Sequence, residues 1–236
     1  SIGTAHRDVV EPSSEYAVAR LARDWRQGRT VVGLFGTFLH RDLTPGMQWL
    51  RSSALSLGAD LNHRFAADRY RIRGWVVASS VHGAPDAIAR TQRSSARYFQ
   101  RPDNDYVLYD TTRTSLSGLA AQAVIGKENG TVRWMTGFDT RTPGFEVNDA
   151  GFQREADRTI QFAWMGLRFN KPGKVCRRAN MNFNQSSAFN WGGERLSLGG
   201  NVNTNVTFLN YWSAYGGLWR GVGGLQAGAL RGGPAL

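Results

Sequence analysis

Apolar and polar side chains alternate along this chain with a period of two. From Leu55 the odd positions read Leu55, Leu57, Ala59, Leu61, His63 and Phe65, with Ser56, Gly58, Asp60, Asn62 and Arg64 between them. Successive side chains of a strand point to opposite faces, so this segment has one apolar and one polar face. A second run sets Leu196, Leu198, Gly200, Val202, Thr204, Val206 and Phe208 against Ser197, Gly199, Asn201, Asn203 and Asn205. Ala179, Met181 and Phe183 oppose Asn180, Asn182 and Asn184. Val132, Trp134, Thr136 and Phe138 oppose Arg133, Gly137, Asp139 and Arg141. Such runs are about ten residues long, the length a tilted strand needs to cross a bilayer. Strands of water-soluble proteins have about five or six.

Turn residues fall between these runs. Arg26-Gln27-Gly28-Arg29, Lys127-Glu128-Asn129-Gly130, Lys171-Pro172-Gly173-Lys174 and Gly192-Gly193-Glu194 suit tight hairpins. Longer connections run through 42–53, 82–92 and 140–153, so short turns alternate with long loops as on the two sides of a barrel. The pattern predicts about eleven or twelve strands: 15–25, 30–41, 54–66, 69–81, 93–100, 105–111, 114–126, 131–140, 155–170, 175–191, 195–209 and 211–222. The expected fold is therefore all-β, an antiparallel transmembrane β-barrel of which this chain covers a part. Residues 1–14 form an N-terminal extension, 15–222 the barrel domain, and 223–236 a Gly-rich tail that reads as disordered. Trp25, Trp191, Tyr211, Trp212 and Trp219 are expected near strand ends, as interfacial girdles require.

Composition agrees. Hydrophobic residues other than Gly make up 41% of the 236, while Gly (28), Trp (8) and Phe (12) are plentiful, which suits short-turned strands that each expose one apolar face. The net charge of +11 first suggests nucleic acid. The arginines are scattered singly, however, which fits a polar lumen or contact with anionic headgroups and lipopolysaccharide, and no nucleic-acid partner is expected. No stretch approaches the ~20 apolar residues of a spanning helix. Ser1 to His6 carry no export signal, so one is expected upstream, with this chain a piece of a larger protein.

Three segments add a resemblance: Ser95-Ala96-Arg97-Tyr98-Phe99-Gln100-Arg101-Pro102-Asp103, Thr114-Ser115-Leu116-Ser117-Gly118, and above all Pro143-Gly144-Phe145-Glu146-Val147-Asn148-Asp149-Ala150-Gly151-Phe152. In this order they resemble an uncharacterised barrel domain found C-terminal to family-nine-type carbohydrate-binding modules in bacteria, over about Glu15 to Trp219. The resemblance implies an outer-membrane, porin-like barrel attached to a periplasmic module that binds sugar or cell-wall glycan. That module is missing here, and the chain ends Gly-Gly-Pro-Ala-Leu rather than on the terminal aromatic of many such barrels.

Candidate chemistry is sparse. Glu146, Asn148 and Asp149 form an acidic loop that could pair carboxylates or hold calcium weakly, but its turn residues favour an Asx-type turn bonded to the loop's own amides. Asp103 and Asp105 read as solvated loop charge. His6, His40, His63 and His82 have no metal-ligand spacing, and Cys176, the lone cysteine, suits a small buried or lipid-facing hydrophobe. No nucleophile elbow or phosphate-binding loop is present. No catalytic residue, cofactor or metal is expected, and the chain reads as a non-enzyme. The candidate lumen lining is Asn180, Asn182, Asn184, Asn201, Asn203 and Asn205, with Arg71, Arg73 and Arg133. Such amides can bond a sugar's hydroxyls or one another, and mutual pairing is the favoured reading. The expected function is an outer-membrane barrel that passes or docks a solute, a glycan or a peptide. The alternatives are a non-conducting barrel anchoring an envelope assembly, and a soluble basic β-protein that binds polyanions.

Overall fold

The computed structural model of the protein describes residues 9–236. His6 and most of the N-terminal extension lie outside them. Among the described residues, ten antiparallel strands pair in sequence order as one continuous meander. They are β1 (Ser13–Trp25), β2 (Thr30–Asp42), β3 (Arg51–Phe65), β4 (Tyr70–Gly83), β5 (Ser115–Lys127), β6 (Val132–Arg141), β7 (Arg158–Phe169), β8 (Cys176–Phe189), β9 (Arg195–Phe208) and β10 (Ser213–Gly223). The lengths, 10 to 15 residues, match the long alternating runs of the sequence. Among the described residues β1 pairs only with β2 and β10 only with β9, so the sheet is not closed.

The count is ten rather than eleven or twelve because two expected strands are absent. Residues 93–100 and 105–111 belong instead to the long β4–β5 connection, which opens with helix α1 (Pro85–Gln92). Pro85 begins the helix, Asp86 lies in its first turn and Arg90 in its last, and Ala87, Ile88 and Thr91 are buried at helical spacing. The left-handed φ of Tyr98, with Arg97 N and Tyr98 N both bonded to Ser94 O, coils the next segment. Val107 and Tyr109, which alternate like strand residues, pack against a buried cluster instead. β7 starts at Arg158 rather than 155, because Ala156 N donates to Ala96 O and Asp157 takes a left-handed φ.

Every short turn lies at one end of the sheet, at 26–29, 66–69, 128–131, 170–175 and 209–212. Every long connection lies at the other, at 43–50, 84–114 and 142–157, together with 190–194 and the tail. The tail was expected to be disordered, yet it folds back: Leu225 N donates to Arg195 O (2.9 Å) and Ala235 N to Asp103 Oδ2 (2.9 Å).

Register fixes which residues share a face. On one face of the sheet Leu21, Leu34, Leu57, Val76, Leu119, Phe138, Met165, Met181, Val202 and Leu218, one from each strand, are exposed. Charges on this face stand near strand ends, as at Arg23, Lys127 and Arg220. The opposite face carries the polar members of each alternation and receives the loops. Leu39, Ala54, Val81 and Leu116, from β2 to β5, form a core with Ile88 and Phe99 of the β4–β5 connection. Val77 and Ala120 pack on Phe145 of the β6–β7 connection. The long loops thus form a plug on the inner face.

The sheet must curl round this plug. Six inter-strand steps would separate β3 from β9 by roughly 29 Å in a flat sheet. Yet Arg97 bonds Glu146, which lies 3.8 Å from Arg51 of β3, and Arg97 also lines a cavity with Leu196 and Ser197 of β9.

Candidate functional site: the plug latch and the polar inner face

The plug is pinned by ions. Arg97, whose side chain is fully buried, donates from Nη2 to Glu146 Oε2 (2.8 Å) and Phe145 O (2.7 Å), and from Nη1 to Thr91 O (2.8 Å). Glu146 N donates to Ser79 Oγ on β4 (3.0 Å), and Glu146 Oε1 accepts Asn148 N (2.8 Å). Asp149 is held by two strand-end arginines, Arg41 Nη1 at 2.7 Å and Arg51 Nε at 2.5 Å. Three guanidinium groups and two carboxylates therefore tie both plug loops to β2, β3 and β4.

Burial pushes the Glu146 carboxyl up, but Arg97, Arg51 and the Asn148 N–H together outweigh it and hold it below the ordinary range. Burial likewise lowers Arg97, against the opposing pull of Glu146. The acidic loop does bind its own amides, through Glu146 Oε1 and Asn148 Oδ1, but its two carboxylates are also engaged by arginines. Asn148 Oδ1 accepts Gln153 N (2.7 Å) in place of an Asx turn, and the Asp149 carboxylate is engaged by Arg41 and Arg51. With these cations in contact, the pair has the chemistry of a latch. It is unsuited to calcium, or to a glycosidase acid of raised pKa.

Two glycines let the loop approach. A Cβ on Gly118 would collide with Phe145 N, and one on Gly144 with Ser117 O. The resemblance segments around Arg97, Gly118 and Glu146 therefore meet at one place, which nothing in their spacing foretells. A second tie is Gln92, fully buried, whose amide donates to Asp110 O (2.7 Å) and accepts Asp110 N (2.9 Å). Tyr106 OH donates to Asp157 Oδ2, and burial together with that carboxylate pushes the phenol far up. Sequence reasoning missed Arg41, Arg51 and Gln92, because only tertiary contact distinguishes them from other scattered polar residues.

The six asparagines meet across β8 and β9 as Asn180 opposite Asn205, Asn182 opposite Asn203 and Asn184 opposite Asn201. Asn182 Nδ2 donates to Asn203 Oδ1 (2.7 Å), Asn184 Nδ2 to Asn201 Oδ1 (2.8 Å), and Trp164 Nε1 to Asn182 Oδ1 (3.2 Å). Trp219 stands opposite Asn201 in mid-strand on this inner face, not in a terminal girdle. A cavity of about 620 Å³ lies here, lined by Trp164, Asn184, Asn201 and Trp219. A second, about 630 Å³, lies under the plug between Arg20, Asp60, Trp75 and Phe145. Gly33 makes room for the Arg20–Asp60 pair (2.8 Å), since a Cβ there would strike both side chains.

Arg71, Arg73 and Arg133 share the inner face at its turn end. Arg71 Nε donates to Asn62 Oδ1 (2.6 Å) and Arg133 Nε to Gly130 O (3.2 Å), while Arg73 is exposed. On the outer face at the same end, His63, Phe65, Tyr70 and Trp134 form a chain of rings 5.5–6.4 Å apart. Thr30 Oγ1 anchors His63 Nδ1 at 2.9 Å. Trp25 ends β1 there, and Tyr211 and Trp212 occupy the adjoining β9–β10 turn.

A family model described as a domain of unknown function, DUF5916, matches residues 2–220. The chain belongs to the DUF5916 family. Neither a curated protein nor a solved structure matches it significantly. All three segments of the resemblance, and the whole DUF5916 latch, fall inside the matched region.

Proposed function

We propose that this DUF5916 chain is wall and plug of a bacterial outer-membrane β-barrel, which docks a solute on its polar inner face without bond-making chemistry. One observation carries the reading. All ten strands leave large apolar side chains exposed on one face, while the other face is polar and holds the plug. In water such a surface far exceeds the few hundred Å² that soluble monomers tolerate. Against hydrocarbon it is the favoured arrangement, with each strand's amides bonded to its neighbours. The ring chain at the turn end fits a headgroup boundary. Closure would require pairing of β1 with β10 or further strands between them.

The plug fills the loop end of β2–β5, which favours a closed barrel over an open pore. Trp164 and Trp219 beside amides give the inner wall flat apolar surface together with hydrogen-bond donors, a combination suited to a glycan. The resemblance to barrels that follow carbohydrate-binding modules supports the same class, with such a module as the proposed neighbouring partner.

Reconstitution tests the reading. The chain should need detergent to stay dispersed, and should pass little steady current in planar bilayers. A Glu146→Gln variant, its latch weakened, should conduct more often. A dispersed monomer without detergent would end the membrane reading; large steady current from the unaltered chain would replace docking with passage.

A further inference from the structure

We propose a second site, outside the inner wall: an oxyanion pocket centred on Arg101, between the β4–β5 connection, the start of β7 and the C-terminal tail. The cavity measures about 290 Å³, at the small end for ligand pockets. Arg101, Arg97 and Arg158 all line it. Arg101 has a side chain only 2% exposed, and its nearest carboxylate oxygen, Asp103 Oδ1, is 4.0 Å away. Its Nε and Nη1 are buried without a hydrogen-bond partner among the described residues, as are Arg97 Nε and Arg158 Nε.

The other ionic groups near the cavity already hold hydrogen-bond or ion-pair partners. Arg97 is matched by Glu146, and Arg158 by Glu155. Asp157 accepts Tyr106 OH and Trp191 N, and Asp103 Oδ2 accepts Ala235 N. Arg101 is left always charged and dry, 4.0 Å from the Asp103 carboxylate and with two buried donors that bond nothing among the described residues. Buried cations need a partner, and a planar fork of N–H groups selects a carboxylate or phosphate. Tail residues Leu225 to Gly228 form the remaining wall, so a bound anion would also hold the tail in place.

Isothermal titration of the detergent-solubilised chain with inorganic phosphate, and separately with succinate, at matched ionic strength tests the site. Saturable one-to-one binding of either is expected; phosphate alone or succinate alone identifies which oxyanion the fork prefers. Arg101→Gln should weaken binding about 10- to 100-fold. Ala227→Trp, which fills the cavity from the tail and leaves Arg101 in place, should abolish it. Arg101→Gln should melt no lower than the parent without anion, since it removes a buried charge with unbonded donors. No saturable binding by the unaltered chain, or equal binding in both variants, overturns the proposal.

Discussion

The two halves of the inner face are finished differently. Across β2–β5 it is covered: Leu39, Val81, Ile88 and Leu116 are almost wholly buried, and the plug is tied down by Arg41, Arg51 and Arg97. Across β8–β10 it is bare. Asparagines pair with each other, Tyr215 and Trp219 of β10 are 89% and 75% exposed, and the last strand leaves an unpaired edge. The same alternation of side chains produces both halves. The difference lies in what the connections do. Long loops supply apolar side chains that complete a core where they land, whereas the same end of β8–β10 has only the short connection 190–194 and the tail. A sheet like this takes its stability from whatever covers its inner face, so the covered half should resist perturbation that the bare half feels little.

Breaking the latch should sharpen that contrast most. Arg97→Met leaves Glu146 buried beside only the more distant Arg51, and should destabilise the folded chain by about 3–5 kcal/mol, measured by denaturant unfolding in detergent. Protection of the α1 amides from hydrogen exchange should fall before that of β8 and β9. Gly118→Val comes next. Its side chain must displace Phe145, at about 1–3 kcal/mol, and the loop rather than the strand should shift.

Acid separates the halves without mutation. Glu146 titrates lower in the folded chain than in the unfolded one, where a glutamate has a pKa of about 4.3. The unfolded chain therefore binds more protons near that pH. The latch contributes fully above about pH 4.3 and is lost as pH falls through the lower folded value. A pH series of melting curves should show this acid loss, and Glu146→Gln should flatten it.

In the bare half the effects shrink. Asn203→Ala removes two exposed amide contacts, to Asn182 and to Asn201, and should cost about 1 kcal/mol or less, with a small coupling to Asn182→Ala in a double-mutant cycle. If it costs as much as Arg97→Met, the halves are not energetically distinct. The smallest effect belongs to the β3–β4 turn, where Ala66, Ala67 and Asp68 all take left-handed φ of 52–58°. Ala67→Gly relieves one such residue and should stabilise by roughly 1 kcal/mol at most, offset by the freer unfolded chain.

Strand legibility followed the same division. Where both faces are defined by plain alternation, as from Leu55 to Phe65 or Leu196 to Phe208, the sequence placed strand, face and length within a few residues. Between 84 and 114 it went astray. Val107 and Tyr109 alternate like strand residues because they pack on one side only, and a two-residue period cannot say whether the surface beneath is a neighbouring strand or a plug. The asparagine rows were readable as a wall, since equal spacing in two adjacent segments pairs them once the hairpin forms. The latch was half readable. Glu146 and Asp149 stood out as paired carboxylates, but their partners lie 49 to 108 residues away and look like any other arginine.

By itself the sequence determined that this chain is a meander of long antiparallel strands with one apolar and one polar face, because side-chain alternation is a local property of extended backbone. Tertiary structure alone decided that the polar face would be half filled, that Arg97 and Glu146 would meet inside it, and that Arg101 would be buried with two donors unbonded. Those outcomes depend on where long loops come to rest. That is set by the balance of ion desolvation, apolar burial and glycine clearance at Gly118 and Gly144, quantities that exist only once distant segments touch.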